Sequence, residues 1–352
     1  MESSSRLAWR VTEPIHAMIY FAPEAFERFA ALGLNAMEGY FASRGGVFGA
    51  TGPGPVIATF YGFNPRLVRR ALPGVWERTT PAAVLAARMA AADAALRRGL
   101  GEAVSSPEVA EAAALARRAA ESACEIPQGR PLFAAHTALP WPDEPHLQLF
   151  HAQNLLREFR GDGHVSALLT AGLGGLESII LHVASGQAPR EFLQPTRGWR
   201  DDAWEATAEG LRARGLLEGD GLSEAGVALR ADVEATTDRL AEPAYEVLGE
   251  PGRVRLAELT RPLSRALVKQ GMLDPMNLVK QARTGRSCDT LDGWRSPRQT
   301  TTSGGGPSSR RPPSGSTRPC SWTASATCWS GASPPRCCGR RPGSPPTWRC
   351  AG

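Results

Sequence analysis

The residues best suited to proton transfer and anion binding lie in one stretch, residues 157–164, which reads Arg-Glu-Phe-Arg-Gly-Asp-Gly-His. A guanidinium group is a planar fork of donors, so Arg157 and Arg160 could hold a carboxylate or a phosphate bidentately. A neutral His164 could act as a general base on such a ligand, with Asp162 nearby. The stretch therefore predicts a site with Arg157 and Arg160 as ligand-binding residues and His164 and Asp162 as catalytic residues.

The same stretch also has a purely structural interpretation. Its two glycines allow a tight turn, and Asp162 would then cap the helix that follows. His164 would lie in the first turn of that helix, where the helix dipole favours a neutral imidazole. In this interpretation residues 157–164 form a corner between two helices that contains buried Arg–Glu pairs. The sequence leaves the corner, the ligand site and the catalytic site open.

Three further residues are candidates for ligand binding, namely His16, Glu38 and Glu177. The two glutamates end matching segments, Gly-Leu followed by three residues and Glu, which lie 139 positions apart. Asn35 precedes Glu38 at the spacing of a capping box, and Gly174 precedes Glu177 at the same spacing. The sequence therefore predicts either two helix caps or two equivalent glutamates that line one central cavity.

No metal and no cofactor is predicted. The chain has no His-x-x-x-His pair, and the single Glu-x-x-His spacing, from Glu13 to His16, contains Pro14. His151 and His182 lie on apolar helical patterns and are interpreted as core residues. A phosphate-binding glycine loop and a nucleophile elbow are both absent from the sequence, which argues against the common enzyme classes that depend on them.

Helical patterns dominate the first 280 residues, and two helices have especially clear start signals. Thr80 and Ser106 are each followed directly by proline, and a hydroxyl cap before a proline at the first helical position is typical of a helix start. The Ala-rich helices that follow, at about 81–100 and 107–124, are predicted to form a connecting hairpin. A further helix is predicted from about 146 to 159.

Strand-like alternation is rare, with a short piece at 56–61 and a wing near 217–222. The wing lies between an amphipathic helix at 199–217 and a long helix at 224–240, for which Ser223 is the predicted cap. This order of helix, wing and long helix resembles the winged-helix domain of MarR-type regulators. Together with the repeat, it predicts tandem helix-turn-helix-like units.

The predicted fold class is therefore mostly α, with tandem helix-turn-helix-like units of which the second is a winged helix, joined by the Ala-rich hairpin. The expected domains are residues 1–128, a first unit with the hairpin, and residues 129–280, a second unit with the winged helix. Residues 281–352 are expected to form a disordered tail.

Several short motifs occur in a fixed order and extend the resemblance to about residues 7–260. They lie at 9–16, 20–24, 40–44, 60–65, 155–164, 197–199 and 237–238. In this order they resemble the SalK-like helix-turn-helix family, whose members include proteins encoded near polyketide gene clusters. The resemblance implies a two-part, mostly helical fold that contains a winged helix. It implies no settled activity and no catalytic residues.

The predicted function is a regulatory or accessory winged-helix protein that binds a small molecule between its two halves, with natural-product metabolism as the setting that the resemblance suggests. The alternative is a tailoring enzyme of secondary metabolism that uses acid/base chemistry at residues 157–164. A small-molecule ligand is the expected partner in both cases, and a homodimer stays open.

DNA is a less favoured partner because the second unit is acidic. Residues 197–250 contain six Arg and 13 Asp or Glu, a balance of −7. Non-specific affinity for DNA comes mainly from cations that displace counterions along the phosphates, and a DNA-reading domain is expected to have a basic surface. In the first unit, Arg66, Arg69 and Arg70 form a small basic cluster, which is interpreted either as a solvated face or as a DNA contact.

The tail differs from the rest of the chain in composition. Residues 281–352 contain 11 Arg, two Asp and six of the seven Cys, so their net charge is +9. The whole chain has a net charge of +5, so residues 1–280 have a net charge of −4. This composition is typical of a GC-rich reading frame read out of register, although a nucleic-acid-binding tail and a zinc or disulfide module stay open. Residues 1–280 contain one cysteine, Cys124, and the sequence has no secretory signal and no apolar run of membrane-spanning length. The expected location is therefore the cytoplasm, and a membrane is not an expected partner.

Overall fold

The structure is a computed structural model that describes residues 3–273. In it, helices begin directly after Thr80 and Ser106, as the sequence predicts. The hydroxyl of Thr80 accepts the N–H of Ala83, and that of Ser106 accepts the N–H of Val109. Such bonds satisfy amide groups that the first turn of a helix leaves unpaired. The predicted tail, residues 281–352, lies outside the described residues.

Helices make up most of the described chain, which confirms the predicted mostly α fold class. Single 3-10 turns lie between some of the helices, one of them at Met18–Tyr20. The helices are α1 (Ser4–Ala17), α2 (Pro23–Ala31), α3 (Ala36–Gly45), α4 (Pro53–Thr59), α5 (Pro65–Ala71), α6 (Pro81–Leu100), α7 (Pro107–Cys124), α8 (Pro131–His136), α9 (Pro145–Thr170), α10 (Gly175–Ala184), α11 (Arg190–Thr196), α12 (Asp201–Ala213), α13 (Glu224–Ala241), α14 (Pro243–Glu246) and α15 (Gly249–Lys269).

One of the two strand predictions is confirmed and the other is wrong. Strands β1 (Leu217–Glu218) and β2 (Gly221–Leu222) pair antiparallel and form the predicted wing. Residues 56–59 of the strand predicted at 56–61 are instead the end of α4, which starts at Pro53 in the first helical position, and residues 60–61 follow that helix. Proline fits that position, and a short apolar run does not by itself distinguish a strand from a buried helix.

The predicted corner at residues 157–164 is wrong, because α9 runs through it without a break. Gly163 lies where α9 comes close to its neighbours: a Cβ added there would be 2.7 Å from Arg130 Nη1 and 3.3 Å from Leu240 Cβ. Glycine is therefore needed here for close packing and not for a turn. Asp162 lies inside α9 and cannot cap a helix that follows it.

Two apolar cores share α9. The larger one contains residues of α1 to α9 together with α14 and α15. The smaller one contains the C-terminal end of α9, helices α10 to α12, the wing and part of α13. Because α9 contributes to both cores, it fixes the side chains that lie between them. The domain boundaries at residues 128 and 280 stay predictions.

The internal repeat is present as two helix-turn-helix units. We call α3, α4 and α5 the first unit, and α10, α11, α12 and the wing the second unit. Each unit is entered through a left-handed glycine, Gly33 with φ +74° and Gly172 with φ +66°. The next residue then donates back to the preceding helix, Leu34 to the carbonyl of Phe29 and Leu173 to the carbonyl of Leu168.

Among the described residues, no single helix has the length and apolar content needed to cross a membrane. The pair Pro145–Thr170 and Gly175–Ala184, bent by 97°, passes the same test when its two helices are taken together.

Candidate functional site

The two helix-turn-helix units meet turn against turn. The loop before α5 lies on the segment before α12, where Asn64 N donates to the carbonyl of Arg197 (2.8 Å) and Asn64 Nδ2 to that of Gly198 (3.0 Å). In the opposite direction, Trp199 Nε1 donates to the carbonyl of Gly62 (2.9 Å). Gly62 and Gly198 precede α5 and α12 by the same number of residues, so the contact joins corresponding parts of the repeat.

A second contact fixes the loop before α5 against the start of α10. The hydroxyl of Tyr61 donates to the carbonyl of Leu173 (2.8 Å). A Cβ added to Gly175 would lie 1.9 Å from the carbonyl oxygen of Tyr61, so this position admits no side chain without movement of the backbone. The two units are therefore held by backbone contacts on both sides of the loop.

Beside these contacts lies a group of polar and aromatic side chains from both units, from α9 between them, and from α1 and the turn that follows it. The rings of Tyr20 and Tyr40 are 5.3 Å apart, and the guanidinium groups of Arg44 and Arg157 lie over the Tyr20 ring at 5.8 and 5.3 Å. We call this group the inter-unit cluster. It consists of Glu13, Tyr20, Tyr40, Arg44, Phe63, Arg157, Glu158 and Arg197.

At the centre of the inter-unit cluster, Arg44 is paired with a buried carboxylate. Its Nη2 lies 2.8 Å from Oε2 of Glu158, whose side chain is 2% exposed, and its Nη1 donates to the Tyr40 hydroxyl at 2.8 Å. Burial alone would raise the pKa of Glu158, but Arg44 and Arg157 outweigh it and lower that pKa to about 2. Arg44 and Glu158 therefore form a matched, charged pair.

Arg157 is also matched, but closer to solvent. Its Nε donates to Oε1 of Glu13 at 2.7 Å, and the two side chains keep 29% and 21% of their exposure. Burial is still the largest influence on the Glu13 carboxyl and raises its pKa in spite of Arg157. Arg157 and Glu13 thus form a second, half-buried pair of the inter-unit cluster.

Arg197 differs from the other two arginines because no carboxylate pairs with it in the described part of the chain. Its guanidinium lies over the Phe63 ring at 4.4 Å, and its Nη1 donates to the Thr196 hydroxyl at 3.3 Å. Burial lowers its pKa, and the like charges of Arg44 and Arg157 lower it further. The inter-unit cluster thus contains three guanidinium groups and two carboxylates.

The excess positive charge also acts on Tyr40. Burial alone would raise the pKa of its phenol, but Arg44, Arg197 and Arg157 outweigh burial and lower that pKa. Tyr40 is also packed edge-on or tilted against neighbouring rings, including Phe63 at 5.4 Å. The cluster is thus an aromatic surface with a surplus of cationic donors.

His16 lies deeper, next to the inter-unit cluster but fully buried. Its Nε2 is 2.9 Å from Nη2 of Arg88, which also donates to Asn154 Oδ1 at 2.9 Å. Its ring stacks on Phe150 with centroids 5.6 Å apart. Burial, reinforced by Arg157 and Arg88, holds the pKa of His16 well below its usual range, so the ring is a neutral acceptor for Arg88.

The other predicted site residues of α9 point to other neighbours. Arg160 lies over the Trp9 ring at 4.2 Å, and its Nη1 is 2.7 Å from Asp238 Oδ1 on α13. His164 Nδ1 lies 2.9 Å from the hydroxyl of Thr237, also on α13. Because Thr237 donates its own proton to a backbone carbonyl, the imidazole is the donor in this bond. Burial lowers the pKa of His164.

Asp162 caps a helix, although not the predicted one. Its Oδ2 accepts the N–H of Phe133 at 2.9 Å, so it satisfies the first turn of α8, which precedes α9 in the chain. Burial raises the pKa of this carboxyl to about 6, against the opposing influence of the Phe133 N–H. Asp162, Arg160 and His164 thus contact three different partners, and the structure does not bring them together as one site.

Glu38 and Glu177 both act as helix caps. Glu38 Oε2 accepts the N–H of Asn35 at 2.9 Å, and Glu177 Oε2 accepts the N–H of Gly174 at 2.6 Å. Each glutamate also pairs with an arginine further along the chain, Glu38 with Arg78 at 2.6 Å and Glu177 with Arg214 at 2.7 Å. The two glutamates therefore have the same structural role, a helix cap that is also paired with an arginine. Neither glutamate belongs to the inter-unit cluster.

Of the predicted site residues, only Arg157 belongs to the inter-unit cluster, with His16 behind it. Sequence reasoning missed Glu13, Tyr20, Tyr40, Arg44 and Arg197 as site residues. A signal for most of them was present, since the motifs at 20–24, 40–44 and 197–199 carry the family resemblance. What the sequence lacked was any indication that these distant motifs meet.

Within the residues that the structure describes, no group of three or more His, Cys, Asp or Glu side chains is arranged to hold a metal ion.

A family model described as a helix-turn-helix family matches residues 5–274. No curated protein and no solved structure matches the chain.

Proposed function

The chain belongs to this helix-turn-helix family, and on that basis we propose a regulatory or accessory protein that binds a small molecule at the inter-unit cluster. The observation that carries the proposal is Arg197, a half-buried guanidinium that has no carboxylate partner among the described residues and lies where the two units meet. The SalK-like and MarR-like resemblance, a role in natural-product metabolism and a cytoplasmic location are parts of the same proposal.

The arrangement of the units supports ligand binding over DNA reading. In helix-turn-helix dimers the N-terminal residues of the recognition helices contact base edges, in half-sites about 34 Å apart. Here α5 and α12 hold the recognition positions, and the segments just before them are hydrogen-bonded to each other through Asn64 and Arg197. These two helix starts are thus too close together to enter successive major grooves.

Charge supports the same view. The exposed face of α5 carries Arg66, Arg69 and Arg70, whereas α12 begins with Asp201 and Asp202 and continues with more acidic residues. Corresponding helices of opposite charge do not form the continuous basic surface that duplex DNA requires.

The alternative, a tailoring enzyme that works through Asp162 and His164, receives no support from the geometry. Asp162 is bonded to the start of α8, and His164 donates to Thr237 on α13. General acid/base catalysis requires groups within hydrogen-bond reach of the same substrate atoms, and neither side chain lies in the inter-unit cluster.

The proposal can be tested by ligand-dependent thermal stability of the full chain. A ligand present at about 100 times its Kd should stabilise the folded state by roughly 2.7 kcal/mol. We expect hits from a diverse small-molecule panel to lose this effect in Arg157→Gln and Tyr40→Phe, and to keep it in Arg117→Gln. Arg117 lies on α7 and pairs with exposed Glu121, outside the inter-unit cluster.

Two outcomes would contradict the proposal. One is a panel from which no compound raises the melting temperature of the wild-type chain. The other is a set of stabilising compounds whose effect is the same in the cluster variants and in Arg117→Gln.

A further inference from the structure

We infer that the molecule bound at the inter-unit cluster is an aromatic carboxylate, whose anionic group pairs with Arg197 and whose ring packs against Tyr40 and Phe63. This inference rests on the proposed function and deepens it, because it names the chemical class of the ligand. It follows from the pairing of charges, from the orientation of Arg197 and from the nature of the surrounding surface.

Two of the three arginines of the inter-unit cluster are paired with a carboxylate. Arg44 is matched by Glu158 and Arg157 by Glu13, each through direct contacts of 2.7–2.8 Å. Arg197 has no carboxylate partner among the described residues; the Tyr40 phenol is the group that attracts it, whereas Arg44 and Arg157 repel it. A partly buried charge without a partner is unfavourable, so an anion that paired with Arg197 would stabilise the folded protein.

The guanidinium of Arg197 is oriented by Phe63. Its plane is placed over Phe63 at 4.4 Å, and its one hydrogen bond to a side chain among the described residues is the 3.3 Å contact to Thr196. Stacking on a ring leaves the N–H groups at the edge of the guanidinium available. A carboxylate matches two parallel N–H groups of this fork, which makes it a better partner than a spherical anion.

The surface around Arg197 is aromatic. Tyr40 lies 5.4 Å from Phe63 and 5.3 Å from Tyr20, centroid to centroid, so aromatic rings form a continuous wall. Tyr20 and Tyr40 are both partly exposed. Such a wall favours a planar ring that can stack or approach edge-on. An inorganic anion would satisfy Arg197 but would make no use of this wall.

One group of the protein competes with the ligand. The hydroxyl of Tyr40 is held by Arg44, and the surrounding arginines lower the pKa of its phenol. An ionised Tyr40 would itself be the third anion of the cluster, and Arg197 would then need no carboxylate. The experiment must therefore measure the ionisation of Tyr40 as well as ligand binding.

The test uses calorimetric titration of the full chain with benzoate and 1-naphthoate, with the corresponding carboxamides as neutral analogues and with inorganic phosphate. We expect the carboxylates to bind at least tenfold more tightly than their amides, and phosphate to bind more weakly than either carboxylate. Arg197→Gln should weaken carboxylate binding at least tenfold. Arg200→Gln is the matched control, because Arg200 lies three residues away and is exposed.

Arg197→Gln should keep or raise the melting temperature, since it removes an unmatched charge. Arg197→Lys is a second variant that keeps the charge without the fork, and we expect it to weaken carboxylate binding severalfold. If Arg197→Gln fails to fold, Arg197→Lys decides: unchanged carboxylate affinity would overturn the inference.

Three further results would overturn it. Amides that bind as well as the acids, with no effect of Arg197→Gln, would leave a ligand site but show that its ligand is neutral. Phenolate absorbance near neutral pH that disappears in Tyr40→Phe would identify Tyr40 as the missing anion. If no aromatic probe binds but other compounds of the diverse panel stabilise the chain through the cluster, the inference is overturned and the proposed function stands. If no aromatic probe binds and no other compound stabilises the chain, the proposed function is contradicted as well.

Discussion

The backbone N–H of Asn64 donates to the carbonyl oxygen of Arg197 at 2.8 Å, which joins the capping residue of α5 to the segment before α12. In a symmetric dimer such a contact would lie between subunits and would be made by the same surface of each. Here both surfaces belong to one chain, and the repeat supplies them. The first unit therefore serves as the permanent partner of the second within one chain.

The contact between the units should depend on a glycine at the start of α10. We expect Gly175→Ala to destabilise the protein by about 2 kcal/mol or more, because its Cβ would overlap the carbonyl oxygen of Tyr61. Gly210→Ala, on an exposed face of α12 with no neighbour nearby, should instead stabilise by roughly 0.5–1 kcal/mol. Urea unfolding of both variants, followed by Trp fluorescence, measures the difference. Equal effects of the two substitutions would contradict the role assigned to Gly175.

DNA binding should be weak and should depend on the last seventy or so residues. We expect a chain truncated after residue 280, with its charge of −4, to bind random duplex with a Kd weaker than about 1 µM near physiological salt, and with a shallow salt slope. The full chain, which gains +9 from residues 281–352, should bind more tightly at low salt. Fluorescence anisotropy over a salt series measures both. Sub-micromolar binding by the truncated chain would point to Arg66, Arg69 and Arg70 as a DNA contact.

Local signals in the sequence were sufficient for much of the fold. Hydroxyl caps followed by proline predicted the starts of α6 and α7, and the capping-box spacing at Glu38 predicted the start of α3. The wing after α12 was also predicted, because a tight turn lies between a helical pattern and a helix cap. In each case the residues that decide the structure are neighbours in the chain.

The errors at residues 162 and 163 arose where distant residues decide. Gly163 was interpreted as a turn residue, whereas it makes room for Arg130 and Leu240 from other helices. Asp162 was expected to cap the next helix, and it caps α8, whose Phe133 lies 29 residues earlier. Nothing within the eight residues of that motif distinguishes these roles, because the partner atoms come from elsewhere in the chain.

The candidate site was missed for the same reason. The sequence grouped Arg157, Arg160 and His164 because they are close along the chain. Their spacing does place them on one face of α9, but at successive turns, where they contact Glu13, Asp238 and Thr237 respectively. The inter-unit cluster gathers Glu13, Tyr40 and Arg197 from segments more than 140 residues apart at the extremes. Only the packing of α1, α3 and the segment before α12 around α9 brings them together.

Asp162 should make the stability of the protein fall as the pH rises. Its carboxyl has a pKa of about 6 in the folded protein, against about 3.9 in an unfolded chain. The folded state therefore holds this proton more tightly, and stability is lost between about pH 4 and pH 6 as the carboxyl ionises. Asp162→Asn keeps an acceptor for the Phe133 N–H and cannot ionise, so we expect it to stabilise the protein at pH 8 by about 2 kcal/mol and to have little effect at pH 4.

Denaturant unfolding at the two pH values provides the measurement for Asp162. Asp162→Ala is the control, because it removes the acceptor as well as the charge and should lose about 1 kcal/mol of capping relative to Asp162→Asn at either pH. If Asp162→Asn were less stable than the wild type at pH 8, the carboxylate would have to be the favoured form, contrary to the raised pKa.

His164 should have the opposite dependence on pH and should not affect ligand binding. Burial lowers its pKa in the folded protein below the usual value of about 6.5, so its contribution to stability is present above pH 6.5 and is lost as the pH falls through that value. His164→Asn retains an N–H that can reach Thr237 but does not titrate, and it should reduce the loss of melting temperature between pH 7 and pH 5. His164→Ala should cost about 1 kcal/mol at pH 8 through the lost hydrogen bond to Thr237. Because His164 lies outside the inter-unit cluster, both variants should keep the affinity of the wild type for any compound that binds there, measured by calorimetry. Loss of binding in His164→Asn, with the fold intact, would place the site between α9 and α13 and refute the assignment to Arg157 and Arg197.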